Sequence, residues 1–263
     1  MNNILDRIIA DKKIEIGRRK SGTAPDLLEK SPGFSRKTLS LRSGLASAGA
    51  SGIIAEFKRM SPSAGWINRH ADPVEVSRAY LRAGASALSV LTDHKYFGGR
   101  GDDLLSVREA CRCPILRKEF IIDEYQLLES RSMGADAVLL IASILDGTRV
   151  KELAREARNV GLEVILEVHG PSELSVLNEW IDIVGVNNRD LKRMETDVQT
   201  SIDMAERIPD EFLKISESGI HDPETINFLK GLGYRGFLIG EYFMRHEAPG
   251  AACRNFIEKI SGR

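Results

Sequence analysis

The stretch Gly52-Ile53-Ile54-Ala55-Glu56-Phe57-Lys58 passes from uninterrupted apolar residues into charged ones. A charge at the tip of a buried strand costs desolvation free energy unless the side chain has a use. The same pattern recurs along the chain, where apolar runs end in Arg117-Lys118-Glu119, Glu167, Asn187-Asn188-Arg189 and Glu217-Ser218-Gly219. Parallel strands bring their carboxyl ends to one edge, where α/β proteins place their chemistry. The pattern therefore predicts a shared pocket at that edge.

From this stretch to the end of the chain, apolar runs alternate with amphipathic segments. The runs start near Gly52, Ala85, Pro114, Ala135, Leu162, Ile181, Phe212 and Gly236. Helix start signals follow them at Asp72-Pro73, Asp102, Asp123, Asp146, Pro171-Ser172 and Asp222-Pro223, with the sixth helix near Asp197 to Arg207 and the eighth within Arg245 to Ile260. Eight such units favour a closed (β/α)₈ TIM barrel over an open doubly wound sheet.

The first 50 residues differ from the rest. Ile4, Leu5, Ile8 and Ile9 share one face of a helical pattern, and a polar stretch follows before the first strand. We expect a single barrel domain over residues 1–263, of which residues 1–50 form an N-terminal helical extension.

Composition narrows the class of protein. The chain has 263 residues, with 42% hydrophobic and 29% charged residues and a formal net charge of −1. This balance favours neither nucleic acid nor a membrane surface as partner, and no apolar run approaches the roughly 20 residues of a membrane span. Three cysteines make a disulfide framework improbable, so we expect a cytoplasmic protein.

Acidic and basic side chains at the strand ends suit acid–base chemistry. Glu56 and Lys58 alternate along one strand and therefore share a face, although a surface ion pair on an edge strand would look the same. Lys118, if desolvated near another cation, would titrate closer to neutrality, and a solvated strand end is its alternative. Glu167 is a candidate general base or acid at the top of its strand, whereas Glu163 would lie nearer the structural bottom.

Two further features point to an anionic ligand. Asn187 and Arg189 share a face and suit a carboxylate or phosphate, while also fitting a turn. Glycines follow the seventh and eighth strands in Ser218-Gly219 and Ile239-Gly240-Glu241, where barrels commonly bind phosphate. The GxGxxG pattern over residues 231–236 precedes a strand and so does not indicate a dinucleotide site. The five histidines show no metal-ligand spacing.

Taken in order, these segments resemble the indole-3-glycerol-phosphate synthase family of tryptophan biosynthesis over nearly the whole chain. The most specific ones are Ile54 to Arg59 with Ser61-Pro62-Ser63, Leu88 to Asp93 with Phe97-Gly98-Gly99, Leu116 to Asp123, Glu167-Val168-His169, Asn187 to Leu191, Ser216 to Ile220 and Leu238 to Glu241. The resemblance implies a TIM barrel whose helical extension covers the catalytic mouth. It also implies a carboxy-lyase without cofactor or metal that acts, often as a monomer, on a phosphorylated small molecule, with neither nucleic acid nor membrane as partner.

The resemblance further implies a reaction and residue roles. The substrate would be 1-(2-carboxyphenylamino)-1-deoxyribulose 5-phosphate, which loses CO₂ and water to give indole-3-glycerol phosphate. Catalytic roles would fall to Lys118, Glu167, Lys58, Glu56 and Asn187. Substrate contacts would come from Arg189, Ser218, Phe120, Glu217 and Ser61, and the phosphate would lie against Gly219, Ile239, Gly240 and the backbone N–H of Glu241.

Met60, Ala64 and Glu119 depart from residues common in the family, and Met60 could narrow the loop after the first strand. Two other functions stay open. A phosphoribosyl-type isomerase on the same fold would explain the phosphate loops but not two lysines with two glutamates. A non-catalytic phosphate-ligand binder would bind without turnover, yet Lys118 and Glu167 are both present.

Overall fold

Eight parallel strands form a closed barrel in the computed structural model, which describes residues 4–190 and 195–262. Leu191, which ends one family-like segment, lies outside the described residues. The strands are β1 (Ile53–Phe57), β2 (Ala87–Leu91), β3 (Ile115–Lys118), β4 (Ala137–Ile141), β5 (Glu163–Val168), β6 (Ile183–Asn187), β7 (Leu213–Glu217) and β8 (Tyr234–Ile239). Each begins within two residues of the predicted start, so the predicted TIM barrel is confirmed.

The barrel closes because its first strand pairs with its last. Ile54 of β1 lies opposite Leu238 of β8 on one side and opposite Ala87 of β2 on the other. The strand ends that carry charges are likewise aligned, with Glu167 opposite Gly185 and Asn187 opposite Glu217. The strand tips therefore form one continuous rim.

The helices before, between and after the strands begin largely where their caps predict. They are α1 (Ile4–Gly22), α2 (Pro25–Glu29), α3 (Pro32–Ser35), α4 (Leu41–Ala46), α5 (Pro73–Arg82), α6 (His94–Phe97), α7 (Gly101–Ala110), α8 (Glu124–Ser132), α9 (Gly147–Asn159), α10 (Gln199–Met204), α11 (Pro223–Gly231), α12 (Glu241–Met244) and α13 (Pro249–Ile260). The carboxylates of Asp72, Asp123, Asp146 and Asp222 each accept a hydrogen bond from a backbone N–H of the first turn.

Two helix predictions are wrong in detail. Asp102 does not cap the second barrel helix, because α7 begins one residue earlier, at Gly101. Asp102 instead lies in the first turn, where a carboxylate favours the positive end of the helix dipole. The fifth connection is a 3₁₀-helix over Pro171–Val176, since the short link between β5 and β6 leaves room for only a tight single segment. No helix in the described part of the chain is both long and apolar enough to cross a membrane.

The N-terminal extension contacts both ends of the barrel. Helix α1 crosses the carboxyl rim, and α4 lies at the opposite end, where Leu41 and Leu45 join the core inside the barrel. There Glu163, at the start of β5, accepts hydrogen bonds from the hydroxyl of Ser40 and the backbone N–H of Arg42. This is the structural, bottom-end role that the sequence predicts for Glu163.

The apolar core has two layers. One lies between the strands and the outer helices and includes Phe57, Val90 and Phe237. The other fills the barrel and continues upward to Leu5 and Ile8 of α1. At the rim this apolar core meets polar strand-tip side chains such as Lys118 and Glu167.

Candidate active site

A cavity of about 580 Å³ opens at the carboxyl rim, beneath α1. It is lined by thirteen of the fourteen residues that the sequence analysis assigns to the site, namely Glu56, Lys58, Ser61, Lys118, Phe120, Glu167, Asn187, Arg189, Ser218, Gly219, Ile239, Gly240 and Glu241. Glu217, the remaining one, is 1% exposed and pairs with Lys118 without lining the cavity. The topology thus brings together side chains separated by up to 185 residues in sequence, the distance from Glu56 to Glu241.

Lys118, the last residue of β3, lies between two carboxylates. Its Nζ is 3.3 Å from Oε2 of Glu167 and also donates to Glu217. Burial lowers the pKa of Lys118, but the negative charges of Glu217 and Glu167 raise it by more, so its pKa is above the ordinary value. The sequence suggested a lysine near another cation, with a lowered pKa. That expectation is wrong, because the neighbouring strand tips supply carboxylates, and Lys118 is held protonated.

Glu167 is held in the ionised form. Burial alone would raise its pKa, but the charges of Lys118 and His169 and a hydrogen bond from the Asn187 side chain lower it below the ordinary value. His169 Nε2 lies 3.5 Å from Oε1 of Glu167, and its Nδ1 lies 3.6 Å from Oε2 of Glu173. Burial lowers the pKa of His169, and the two carboxylates raise it by more, which favours the imidazolium.

The pKa of Glu217 is shifted in the opposite direction to that of Glu167. Burial and the charges of Glu167 and Glu56 outweigh Lys118 and raise the pKa of Glu217 to about 7. Its Oε1 lacks a hydrogen-bond partner among the described residues. Space for this side chain comes from Gly185 on the neighbouring strand, where an added Cβ would lie 2.4 Å from that oxygen.

A second ion pair lies across the rim at the end of β1. Lys58 Nζ is 2.8 Å from Oε1 of Glu56, and both side chains face the cavity as their shared face predicts. Gly240 packs so closely that a Cβ there would meet Glu56 Oε1 at 2.3 Å. The loop after β8 therefore limits the positions open to the Glu56 side chain and its ion pair with Lys58.

Cationic and backbone groups gather at the other end of the cavity. Ser218 and Gly219 both have positive φ, 68° and 71°, which turns the chain sharply after β7. Helix α12 begins at Glu241, and its first N–H groups have no partner within the helix. The Glu241 carboxylate lies 3.4 Å from Arg189 Nη2 and also pairs with Arg245.

Several lining residues were missed by the sequence analysis. The missed residues Leu5 and Ile8 of α1 and Phe97 of α6 form an apolar wall together with Phe120, which was predicted. The rings of Phe97 and Phe120 lie 6.0 Å apart. Arg245 was missed as well, although its spacing of four residues from Glu241 signals a helical ion pair.

Met60, which departs from the residue common in the family, does not line the cavity. It pairs with Trp66 in a short two-stranded ribbon over residues 60–61 and 65–66.

Solved structures of other proteins share this architecture. A chain of the tryptophan synthase α₂β₂ complex from Pyrococcus furiosus is similar with a TM-score of 0.60 and 15% identity, covering 81% of this chain and 99% of that one. The 3-hexulose-6-phosphate synthase of Salmonella typhimurium is similar with a TM-score of 0.63 and 13% identity, covering 80% and 99%. At these identities the likeness establishes the barrel fold alone.

Sequence comparison is far more specific. An indole-3-glycerol phosphate synthase from Bacteroides thetaiotaomicron is 47% identical over 260 residues, covering 99% of this chain and all of that protein. One from Burkholderia vietnamiensis is 41% identical over 255 residues, covering 96% and 98%. The family profile of indole-3-glycerol phosphate synthase matches residues 5–256. With a match over nearly its whole length, the chain belongs to the indole-3-glycerol phosphate synthase family.

Proposed function

We propose that this cavity converts 1-(2-carboxyphenylamino)-1-deoxyribulose 5-phosphate into indole-3-glycerol phosphate, CO₂ and water. The observation that carries the proposal is Lys118 Nζ 3.3 Å from the Glu167 carboxylate within one cavity, where the raised pKa of Lys118 and the lowered pKa of Glu167 favour the ammonium and the carboxylate. The reaction needs an acid and a base in the same place, and these two groups already hold the required protonation states.

Lys118 acts as the acid of ring closure. As the carboxylate-bearing ring carbon attacks the ketone carbon, a carbon–carbon bond forms and the ketone oxygen takes a proton from Lys118. Positive charge that develops on the ring is stabilised by the carboxylates of Glu56 and Glu167. Loss of CO₂ then returns the electron pair of the carboxyl bond to the ring and restores its aromaticity.

Dehydration completes the indole. Lys58 gives a proton to the leaving hydroxyl group, which departs as water, and Glu167 removes the proton from the adjacent carbon. Asn187 donates a hydrogen bond to Glu167 and keeps it oriented for this step. Glu217 pairs with Lys118 and does not line the cavity.

The substrate spans the cavity from its apolar wall to its cationic end. Its aromatic ring packs against Phe120, with Phe97 beside it. Its phosphate lies against the backbone of Gly219, Ile239, Gly240 and Glu241, where the first turn of α12 offers free N–H groups.

Polar side chains complete the substrate contacts. Arg189, Ser218 and Ser61 all line the cavity and contact the polar groups of the substrate.

The test is to supply this substrate to the purified protein and to follow indole absorbance together with CO₂ release. Stoichiometric formation of both products supports the proposal. An isomerase on the same fold would rearrange a phosphorylated sugar without indole formation, and a binding protein would retain the substrate unchanged. Either result with folded protein would contradict the proposal.

We also propose that the chain acts as a single-domain monomer. The N-terminal extension packs on both ends of its own barrel, which supports one folding unit. Light scattering coupled to gel filtration should give about the chain mass of 29.1 kDa, and a mass twice as large would refute the monomer.

A further inference from the structure

We propose that Lys12, on the N-terminal helix α1, is a positioning residue that fixes the apolar wall of the active-site cavity. This inference rests on the proposed function, because it takes that wall to hold the aromatic ring of the substrate. Lys12 lies on a helix that covers the barrel from outside, yet it is only 1% exposed. Lysine is seldom buried this far unless opposite charges surround it.

Three carboxylates surround the Lys12 ammonium group. Nζ lies 2.8 Å from Oδ2 of Asp93, 3.0 Å from Oε1 of Glu119 and 2.8 Å from Oε2 of Glu15. Asp93 and Glu119 are themselves buried and belong to the barrel rather than to α1. The cluster is therefore a charged contact between the extension and the carboxyl rim.

Each barrel partner of Lys12 also fixes the backbone of a wall segment. The second oxygen of Asp93 accepts the N–H of Tyr96 at 2.8 Å and so caps α6. Oε1 of Glu119 accepts the N–H of Phe120 at 2.9 Å, and its Oε2 accepts the hydroxyl of Thr92 at 2.8 Å. One ammonium group thus links α1, α6 and the segment that follows β3.

Those three segments supply the wall itself. Leu5 and Ile8 come from α1, Phe97 from α6 and Phe120 from the segment after β3, and all four line the cavity. Without the charge of Lys12, Asp93 would lose its paired cation among the described residues, and Glu119 would keep only Arg117, whose Nη2 lies 3.7 Å from Oε2. Buried carboxylates with so little compensation are costly, and the arrangement relaxes by separating the segments. The wall would then lose its shape.

Lys118 does not depend on Lys12 in the same way. Its ammonium group is held by Glu167 and Glu217, on β5 and β7. Loss of Lys12 should therefore weaken ring binding while leaving proton transfer largely intact. This predicts a rise in KM with little change in kcat, a split that a role in overall stability alone would not produce.

The experiment compares Lys12→Met with Lys13→Met, which removes the exposed neighbouring lysine on the same helix. Steady-state assays are run well below the unfolding midpoint of each variant. Lys12→Met should raise KM about tenfold or more, since small displacements of positioning groups are expensive, with kcat within about threefold of wild type. Lys13→Met should match wild type. An unchanged KM for Lys12→Met, or an equal rise for Lys13→Met, overturns the inference.

Phe120→Ala separates this inference from the proposed function. If Phe120→Ala raises KM and Lys12→Met does not, only the positioning role is lost. If Phe120→Ala leaves KM unchanged, the assignment of the aromatic wall is wrong.

Should Lys12→Met fail to fold, Lys12→Gln, which keeps a hydrogen-bond donor, must show the same rise in KM with little change in kcat, at smaller amplitude. If Lys12→Gln also fails to fold, or folds with the KM of wild type, Lys12 is a stabilising charge only and the inference is rejected.

Discussion

Glu167 and Glu217 are buried within reach of the same ammonium group, yet they hold their protons differently. Glu167 has Asn187 and His169 as further partners, and these contacts outweigh burial. Glu217 has an oxygen without a hydrogen-bond partner among the described residues and two carboxylates nearby, so burial outweighs Lys118. Glu167 is therefore ionised and available as a base, while Glu217 titrates near neutrality.

This difference predicts a pH-dependent stability. Because the pKa of Glu217 rises on folding from 4.5 to about 7, the folded state binds this proton more tightly, and stability falls as pH rises through that window. The loss approaches about 3 kcal/mol above pH 7. The glutamine of Glu217→Gln cannot ionise. The free energy of unfolding of this variant, minus that of wild type, should therefore increase by a similar amount between pH 4.5 and 8. Urea denaturation across this range measures the difference, and a difference independent of pH would exclude the raised pKa.

At the scale of elements, the tips of the strands place the site. The loop after β8 approaches β1 so closely that the Cβ added by Gly240→Ala would lie 2.3 Å from Oε1 of Glu56 and must displace that side chain. The backbone φ of Gly240 is negative, so the substitution adds no backbone strain. We expect kcat/KM to fall by about tenfold to a hundredfold, the scale of loss for an active-site displacement of about 1 Å.

Gly231→Ala is the matched control for Gly240→Ala. An added Cβ at Gly231, at the end of α11, meets nothing within 4 Å. This variant should keep full activity and should be equally or slightly more stable, by up to about 1 kcal/mol. Steady-state kinetics decide the comparison, and equal activity of the two variants would show that the close packing at Gly240 is unimportant.

Strands and site residues could be predicted because local patterns encode them. Buried parallel strands need apolar runs, and charges at their ends reveal the rim, as Glu56, Lys118 and Glu167 do. The charge environment of Lys118 could not be predicted, because it depends on which strand tips lie opposite one another in the closed barrel. Lys12 escaped notice for a similar reason. On an amphipathic helix it resembles a solvated lysine, and only docking of α1 on Asp93 and Glu119 buries it.

In the molecule as a whole, one end of the barrel contributes mainly to stability and the other carries the proposed active site. At the end opposite the cavity, the fully buried Asp136 joins extension and barrel. Its carboxylate accepts from Arg36 at 2.7 Å, Arg108 at 2.9 Å and the backbone N–H groups of Leu39 and Ile115 at 2.8 and 2.9 Å. In TIM barrels this end serves stability and the carboxyl rim serves catalysis.

Asp136→Ala should therefore cost stability without costing chemistry. Removing one side of a buried charged network typically costs about 3–5 kcal/mol, which urea denaturation would show as a lower midpoint. Measured at a temperature where both proteins are folded, kcat should stay within about twofold of wild type, because the change lies at the end that does not carry the reaction. A large loss of kcat in folded Asp136→Ala would contradict this division.

The proposed reaction depends above all on Lys118, which gives the proton that accompanies ring closure. The most direct measurement is single-turnover indole formation by Lys118→Ala, with Lys151→Ala, an exposed lysine paired with Glu179 on the outer surface, as control and circular dichroism to verify folding. We expect a rate about 10²–10⁴ times slower for Lys118→Ala, the usual contribution of a general acid, and an unchanged rate for Lys151→Ala. A rate for folded Lys118→Ala within a few fold of wild type would contradict it.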